Sequence, residues 1–288
     1  MKPLLKRTLH WIGSALAIAG VVFVTLRLKE YGAQLDFSRF TGLAWLAITI
    51  LALIYGVANT ALAFAWRNLL SHFSVDTTRQ WAVKIYGLTQ LAKYVPGNIM
   101  HLAGRQALGQ ADGIAGWSLA KASIWEIGLI SVTGAFFSIL VIPQYLPAVS
   151  TPLAALGFVS LILIMALGLK KYMNINLVQA FGGYVVFLVV AGAVFVGSLM
   201  LTMNDSSIIF SNIVLLGGAF VVAWLAGLVT PGAPAGIGVR EFVLIILLQG
   251  LIPEQDLLLA VLLSRIITVG GDILFFLLAA IMSWALSD

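Results

Sequence analysis

The feature that most constrains this chain is a series of long, nearly uncharged apolar blocks. About 18 or more such residues are long enough to cross the hydrocarbon core of a bilayer. Inside lipid every backbone N–H and C=O needs a partner within the protein, so only helices or a closed barrel can span. Continuous blocks without period-two alternation favour helices. Charged residues make up only 9% of the sequence, too few to cover a water-facing surface. The sequence predicts an all-α, polytopic integral membrane helical bundle.

About seven blocks are predicted to be full spans, in a single transmembrane domain covering residues 1–288. They lie at about 9–26, 43–66, 117–141, 152–169, 178–201, 208–229 and 257–286. The first block follows Lys2, Lys6 and Arg7, and no convincing small-x-small cleavage site comes after it. It is therefore interpreted as a retained span rather than as a secretory signal. The same basic residues place the N-terminus in the cytoplasm.

Two further apolar stretches, at about 81–105 and 230–250, are interrupted by proline and glycine. Proline removes a backbone donor and glycine loosens the backbone, so both stretches are predicted to be broken or re-entrant helices. The loops at 142–151, 202–207 and 251–256 contain no Lys or Arg and are assigned to the outside. The first stretch would then enter and leave from the cytoplasm, and the segment 208–250 would enter and leave from outside. The alternative for the second is a full crossing, since 208–229 is long enough to span.

The two broken stretches share a spacing. Pro96-Gly97 precedes Arg105 by the same interval as Pro231-Gly232 precedes Arg240. Together with the opposite sides of entry, this suggests an inverted repeat like those of transporters. Coincidence is the alternative, since Pro-Gly is common where helices break.

Ionisable side chains lie within or beside these apolar blocks. A charge at the bilayer centre costs roughly 2.5–3.5 kcal/mol, so each is a functional hypothesis by default. Cations outnumber acids near the breaks, and the free N–H groups at the start of a half-helix also favour an anion. The predicted substrate-binding set is Lys93, Pro96, Gly97, Arg105, Pro234, Gly236, Gly238 and Arg240. Residues for charge balance or proton coupling are Glu126, Glu241, Arg265 and Asp272.

Structural ion pairs are the alternative for these charges. A pair between Arg265 and Asp272, seven residues apart in the last span, is as good an interpretation as a functional one. The partner of Glu126 is left open among Arg105, Arg240 and Arg265. The balance of cations near the breaks fits a phosphate-bearing substrate that resides in the membrane.

Several classes of site are excluded. The chain has no cysteine, so disulfides, thiolate metal sites and cysteine nucleophiles are absent. Its three histidines lack metal-ligand spacing, and no metal or other cofactor is predicted. No basic cluster is long enough to indicate nucleic acid.

A family resemblance rests on the motifs at the breaks. They are Lys93-Tyr94-Val95-Pro96-Gly97, Gly104-Arg105, Glu126, Pro234-x-Gly236-Ile237-Gly238-Val239-Arg240-Glu241 and Arg265. With these the chain resembles, over roughly 7–286, the lysylphosphatidylglycerol synthetase transmembrane-region family. That family is the flippase-like domain of bacterial aminoacyl-phosphatidylglycerol synthases, which also occurs as stand-alone membrane proteins. The second motif departs from the family in having Ala233-Pro234-Ala235-Gly236 where members commonly have a Gly-Gly pair.

The resemblance implies a bacterial or archaeal cytoplasmic membrane protein that moves an anionic phospholipid or a polyprenyl-phosphate-linked lipid between leaflets. The chain ends at Asp288 without a soluble aminoacyl-transferase domain, so transfer of an amino acid is not expected. A transporter is favoured over a catalyst. The alternatives are a membrane-embedded transferase acting on a lipid-linked sugar and a scaffold for envelope synthesis. Envelope glycosyltransferases and further copies of the chain are candidate partners.

Overall fold

A computed structural model of the chain describes residues 41–95, 99–203, 207–230, 236 and 238–285, with scattered positions between 7 and 30. The predicted first span at 9–26 lies largely outside the described residues. Pro96, Gly97 and Pro234 of the predicted site lie wholly outside them.

All regular structure in the described part of the chain is helical. The helices are α1 (Gly42–His72), α2 (Arg79–Gln90), α3 (Met100–Ala111), α4 (Gly116–Phe136), α5 (Ile142–Tyr145), α6 (Thr151–Tyr172), α7 (Ile175–Thr202), α8 (Ser207–Val229), α9 (Val239–Leu248) and α10 (Glu254–Ala285). Short 3₁₀ helices follow α2 at Leu91–Tyr94 and α4 at Phe137–Val141.

Six helical segments of the described chain are long and apolar enough to cross a membrane: α1, α4 with its continuation to Tyr145, α6, α7, α8 and α10. They coincide with the second to seventh predicted spans. The prediction of an all-α polytopic membrane bundle is confirmed.

Glycines let the long helices approach closely. A Cβ added to Gly56 of α1 would lie 2.9 Å from the carbonyl oxygen of Gly271 in α10. The same addition at Gly192 of α7 would lie 2.9 Å from the carbonyl oxygen of Gly217 in α8. Helices in lipid associate through such small residues because they bring the backbones into van der Waals contact.

The first broken stretch forms a helical hairpin, called hairpin A below (α2, the 3₁₀ turn and α3). Its two α-helices have 12 residues each, or about 18 Å at 1.5 Å per residue, too short for a core of about 30 Å. They pack against each other. Their open ends are joined because the Trp81 indole N–H donates to Asp112 Oδ2 at 2.7 Å. The hairpin extends to Ala111, beyond the predicted end near 105.

The second break, between Val229 and Val239, produces hairpin B (α8 and α9). α9 has only 10 residues, about 15 Å, and packs back against α8. Gly236 has a φ of +71°, which favours glycine because a side chain would crowd the backbone. A Cβ there would also lie 2.9 Å from the Gly227 Cα near the end of α8. At the other end of α9, the Tyr145 hydroxyl donates to the carbonyl oxygen of Ile246 at 3.0 Å.

Helix α10 shows how the hairpins are placed relative to each other. Gly87 of α2 lies against Phe275, and Tyr94 lies against Asp272, so hairpin A runs antiparallel to α10 from its C-terminal end. Glu241, in the first turn of α9, pairs with Arg265 of α10. Arg265 lies 11 residues, or about 16 Å, from the start of α10. This distance matches the length of α9. The two hairpins therefore approach from opposite ends of α10. Their tips are seven residues apart along it, or about 10 Å.

Candidate functional site

A cavity of about 100 Å³ lies where the two hairpin tips meet. Four residues of the predicted site line it: Lys93, Glu126, Arg240 and Arg265. The rest of its wall is aromatic and apolar with a few polar groups: Tyr55, Leu62, Tyr86, Gln90, Tyr94, His101, Leu102, Ile127, Ile130, Phe187, Trp224, Gly227, Leu228, Thr268 and Val269. Folding thus brings together charges that lie up to 172 positions apart in the sequence.

Arg240 is the cation most available to a ligand. It lies in the first turn of α9, directly after the break, and its guanidinium carbon lies 5.9 Å from the centre of the Trp224 ring. Its Nε is buried without a hydrogen-bond partner. Among the described residues no carboxylate forms a salt bridge with it. A guanidinium in this state can donate two parallel hydrogen bonds to a phosphate or carboxylate.

Arg265 and Glu241 hold the tip of hairpin B against α10. Arg265 Nη2 and Nε lie 2.8 Å and 2.9 Å from Glu241 Oε1. Arg265 Nη2 also donates to the Gly236 carbonyl oxygen at 3.2 Å. The second oxygen of Glu241 accepts from the Gly238 N–H at 2.7 Å. Gly236 and Gly238, predicted as substrate-binding residues, therefore help to build the turn that carries Arg240.

Asp272 holds the tip of hairpin A in the same way. Its carboxylate is fully buried and accepts four donors. Oδ1 accepts from Asn59 Nδ2 at 3.0 Å and from Gln90 Nε2 at 3.1 Å. Oδ2 accepts from the Tyr94 hydroxyl at 2.6 Å and pairs with Lys93 Nζ at 2.7 Å. Asp272 and Arg265 are therefore not partners of each other, and each instead anchors one hairpin to α10.

Glu126 pairs with Arg105, one of the three partners that the sequence leaves open. Arg105 Nη1 lies 2.6 Å from Glu126 Oε2, and the Tyr86 hydroxyl donates to Oε1 at 2.8 Å. Arg105 is only 2% exposed, and its guanidinium carbon lies 4.1 Å from the centre of the Tyr86 ring. It is not part of the cavity wall. Arg105 therefore forms a salt bridge with Glu126, which lines the cavity, but does not line the cavity itself.

The uncharged polar residues that bind the carboxylates of Glu126 and Asp272 were missed at the level of sequence. Tyr86, Gln90 and Tyr94 follow one another at intervals of four, which places them on one face of a helix. Asn59 is a lone amide within an apolar span. That spacing, and the expense of an amide in lipid, are signals that could have identified them.

The electrostatics of the site favour an anion. Four cations, Lys93, Arg105, Arg240 and Arg265, face the carboxylates of Glu126, Glu241 and Asp272. Each of these carboxylates already accepts a charged donor, which leaves an excess of one positive charge beside the cavity. Within the described ranges, no group of three or more His, Cys, Asp or Glu side chains is arranged to hold a metal ion.

No protein-family model and no curated protein matches this chain. Its own geometry defines the class: a polytopic helical membrane protein whose two helical hairpins meet at an internal, cationic cavity.

Proposed function

We propose that this protein is a flippase-like lipid translocase. It binds the phosphate headgroup of an anionic phospholipid or a polyprenyl-phosphate-linked lipid in the cavity, and passes it between leaflets while the hydrocarbon tails stay in the bilayer. The observation that carries the proposal is the Arg240 guanidinium on the wall of an internal cavity, where it forms no salt bridge with any residue that the structure describes and its buried Nε has no hydrogen-bond partner there. Burying a cation with no counter-ion is unfavourable, which is expected where an anionic ligand supplies the missing charge.

The size of the cavity supports a headgroup as the ligand. Sites that enclose a whole small molecule have volumes of about 300–1,000 Å³, whereas this cavity measures about 100 Å³. A phosphate group fits this space far better than a complete lipid does. Aromatic walls formed by Tyr55, Phe187 and Trp224 exclude water and so strengthen the attraction between phosphate and Arg240.

Lys93 and Arg265 then act as secondary phosphate ligands. Each lines the cavity while paired with a carboxylate that ties one hairpin to α10. A phosphate held by Arg240 competes with Asp272 for Lys93 and with Glu241 for Arg265. Binding thereby weakens the contacts that hold the hairpin tips, and opposed hairpins suit a pathway that opens to one side or the other.

No observation in the structure favours the membrane-embedded transferase. A general base needs a carboxylate free to take a proton, and Glu126, Glu241 and Asp272 each accept from a cation. A scaffold predicts that neutralising the charges at the cavity leaves the function intact. The proposed setting is a bacterial or archaeal cytoplasmic membrane with the N-terminus inside.

The test is reconstitution in liposomes with fluorescent anionic phospholipid or short polyprenyl-phosphate analogues, scoring access of each leaflet to a quencher. Loss of a hydrogen bond to a charged group is worth about 1.5–3 kcal/mol, so Arg240→Ala is expected to slow crossing by about 10-fold or more. Arg240→Lys should retain part of the rate because it keeps the charge but not the bidentate geometry.

Arg79→Ala is the matched control, since it removes an exposed arginine at the start of α2, outside the cavity wall. The Arg79→Ala variant should move lipid between leaflets at the wild-type rate. Unchanged crossing by well-folded Arg240→Ala would exclude the proposed site. Failure of the folded wild type to accelerate any lipid would exclude translocation.

A further inference from the structure

Helix α4 has one buried and one exposed face. Its buried side carries Ala122, Glu126 and Thr133, whereas Ile124 is 63% exposed and lies on the opposite side with Gly128. The exposed side of an apolar spanning helix faces lipid. Glu126 and Ile124 therefore mark the interior and the lipid-facing surface of the same helix.

Ile127 lies between these two faces, about 100° around the helix from Glu126. It lines the cavity and is also 42% exposed. Ile130 of α4 and Leu102 from the first turn of α3 also line the cavity. Ile127 thus belongs both to the cavity wall and to the exposed surface of the bundle, in the part of the structure where α3 packs against α4.

The cavity wall here combines two kinds of chemistry. The cavity carries the cation Arg240, whereas the lining that α3 and α4 contribute beside Ile127 includes the aliphatic side chains of Leu102 and Ile130. That combination matches an amphiphile whose phosphate lies inside and whose hydrocarbon chain lies outside. A lipid tail that entered the cationic cavity would lose its apolar surroundings, so a translocated lipid needs a side opening of this kind.

We infer that the cavity opens sideways to the bilayer between α3 and α4, and that Ile127 and Leu102 contact the hydrocarbon chain of a lipid whose phosphate is bound at Arg240. The inference rests on the proposed function for the identity of the headgroup. It adds a binding subsite for an acyl or prenyl chain, and it specifies the route by which the lipid enters.

Photo-crosslinking tests the occupant directly. Phosphatidylglycerol and a polyprenyl phosphate, each with a diazirine in the chain near the headgroup, are irradiated with the reconstituted full chain, and insertion sites are mapped by mass spectrometry. Insertion at Ile127 and Leu102 is expected to fall at least 10-fold in Arg240→Ala. Insertion at Ile124, which is 63% exposed and is not part of the cavity wall, should not change. Comparing the two probes shows which chain type is held.

Blocking the passage is the second test. Ile127→Trp is expected to slow lipid crossing at least 10-fold. Ile124→Trp is the control, because it is the same substitution about one turn away and outside the cavity wall. This control should move lipid at the wild-type rate. Ile127→Ala should slow crossing far less than Ile127→Trp does, which separates blockage of the passage from loss of the isoleucine itself.

The outcomes distinguish the inference from the proposed function. Equal insertion at Ile127 and Ile124 without dependence on Arg240 would mean that only bulk lipid contacts this flank, and would overturn the side opening. Normal crossing by folded Ile127→Trp would overturn it as well. Arg240-dependent insertion at Ile127 in a protein that moves no lipid would support the opening and refute translocation.

Discussion

Replacing Glu126 by Gln isolates the effect of one buried charge. The substitution preserves the shape of the side chain and an oxygen that accepts from the Tyr86 hydroxyl. It removes the negative charge that lies 2.6 Å from Arg105 Nη1. Arg105, 2% exposed, is then left without a counter-ion, and its Nε has no hydrogen-bond partner either.

The expected effect is large because Arg105 has no access to water. Breaking a buried ion pair by removing one partner destabilises a protein by about 3–5 kcal/mol. The rings of Tyr86 and Trp66, whose centres lie 4.1 Å and 5.7 Å from the guanidinium carbon, contact Arg105 in the wild type and in the variant alike. These cation–π contacts therefore do not replace the lost carboxylate. We therefore expect Glu126→Gln to lower the free energy of unfolding by about 3 kcal/mol.

The assay is reversible unfolding in mixed detergent micelles, followed by circular dichroism. Glu126→Gln, Arg105→Met and the double variant form a cycle that measures the coupling between the two side chains. The double variant should be more stable than either single one, because it leaves no unpaired charge. Glu254→Gln is the control: this carboxylate is exposed in the first turn of α10, where neutralisation is worth about 1 kcal/mol or less.

Two results would refute the reasoning. A free energy of unfolding for Glu126→Gln within about 0.5 kcal/mol of wild type would mean that Arg105 is solvated or finds another counter-ion. A double variant no more stable than Glu126→Gln would mean that the lost stability does not come from the isolated charge.

Two further substitutions test the hairpin tips. Asp272→Asn should slow lipid crossing by about 10-fold and destabilise the protein by about 3 kcal/mol, since Lys93 loses its carboxylate; the liposome and unfolding assays measure both. Gly236→Ala should cost about 1–2 kcal/mol for its positive φ. It should also weaken crossing, because the new Cβ would lie 2.8 Å from Arg240 Nε. Gly113→Ala is the matched control, since Gly113 has a φ of +93° and open space around its Cα.

These predictions have clear contrary outcomes. If folded Asp272→Asn moves lipid at the wild-type rate, the contact between hairpin A and Asp272 of α10 is not needed for transport. Gly113→Ala should lose stability but not transport. If Gly236→Ala and Gly113→Ala behave alike in the transport assay, the turn before α9 does not position Arg240.

The sequence alone predicts the spans because each is a local property. A block such as 178–201 has no alternative to crossing lipid as a helix, since its backbone must satisfy its own hydrogen bonds. The breaks are local as well: Gly236 and Gly238 adopt the positive φ values that only glycine tolerates easily. The functional importance of the intramembrane charges is predicted in the same way, because the free-energy cost of placing a charge in lipid does not depend on the particular fold.

What the sequence could not determine is which charge meets which. Lys93 and Asp272 are separated by 179 positions, and their contact depends on how α2 packs against α10. The seven-residue spacing of Arg265 and Asp272 favours a pair on one face of a helix, yet each binds a different hairpin.

Tertiary structure also decided which of the two arginines after the breaks pairs with a carboxylate. Local pattern makes Arg105 and Arg240 equivalent, since both follow a Pro-Gly break at the same interval. Arg105 meets Glu126 because α3 packs against α4, while α9 brings no carboxylate to Arg240. An ion pair is a property of two backbone positions in space. For that reason the sequence identified the charged residues near the site, and the packing of the hairpins determined which of them faces the cavity without a salt bridge to any described residue.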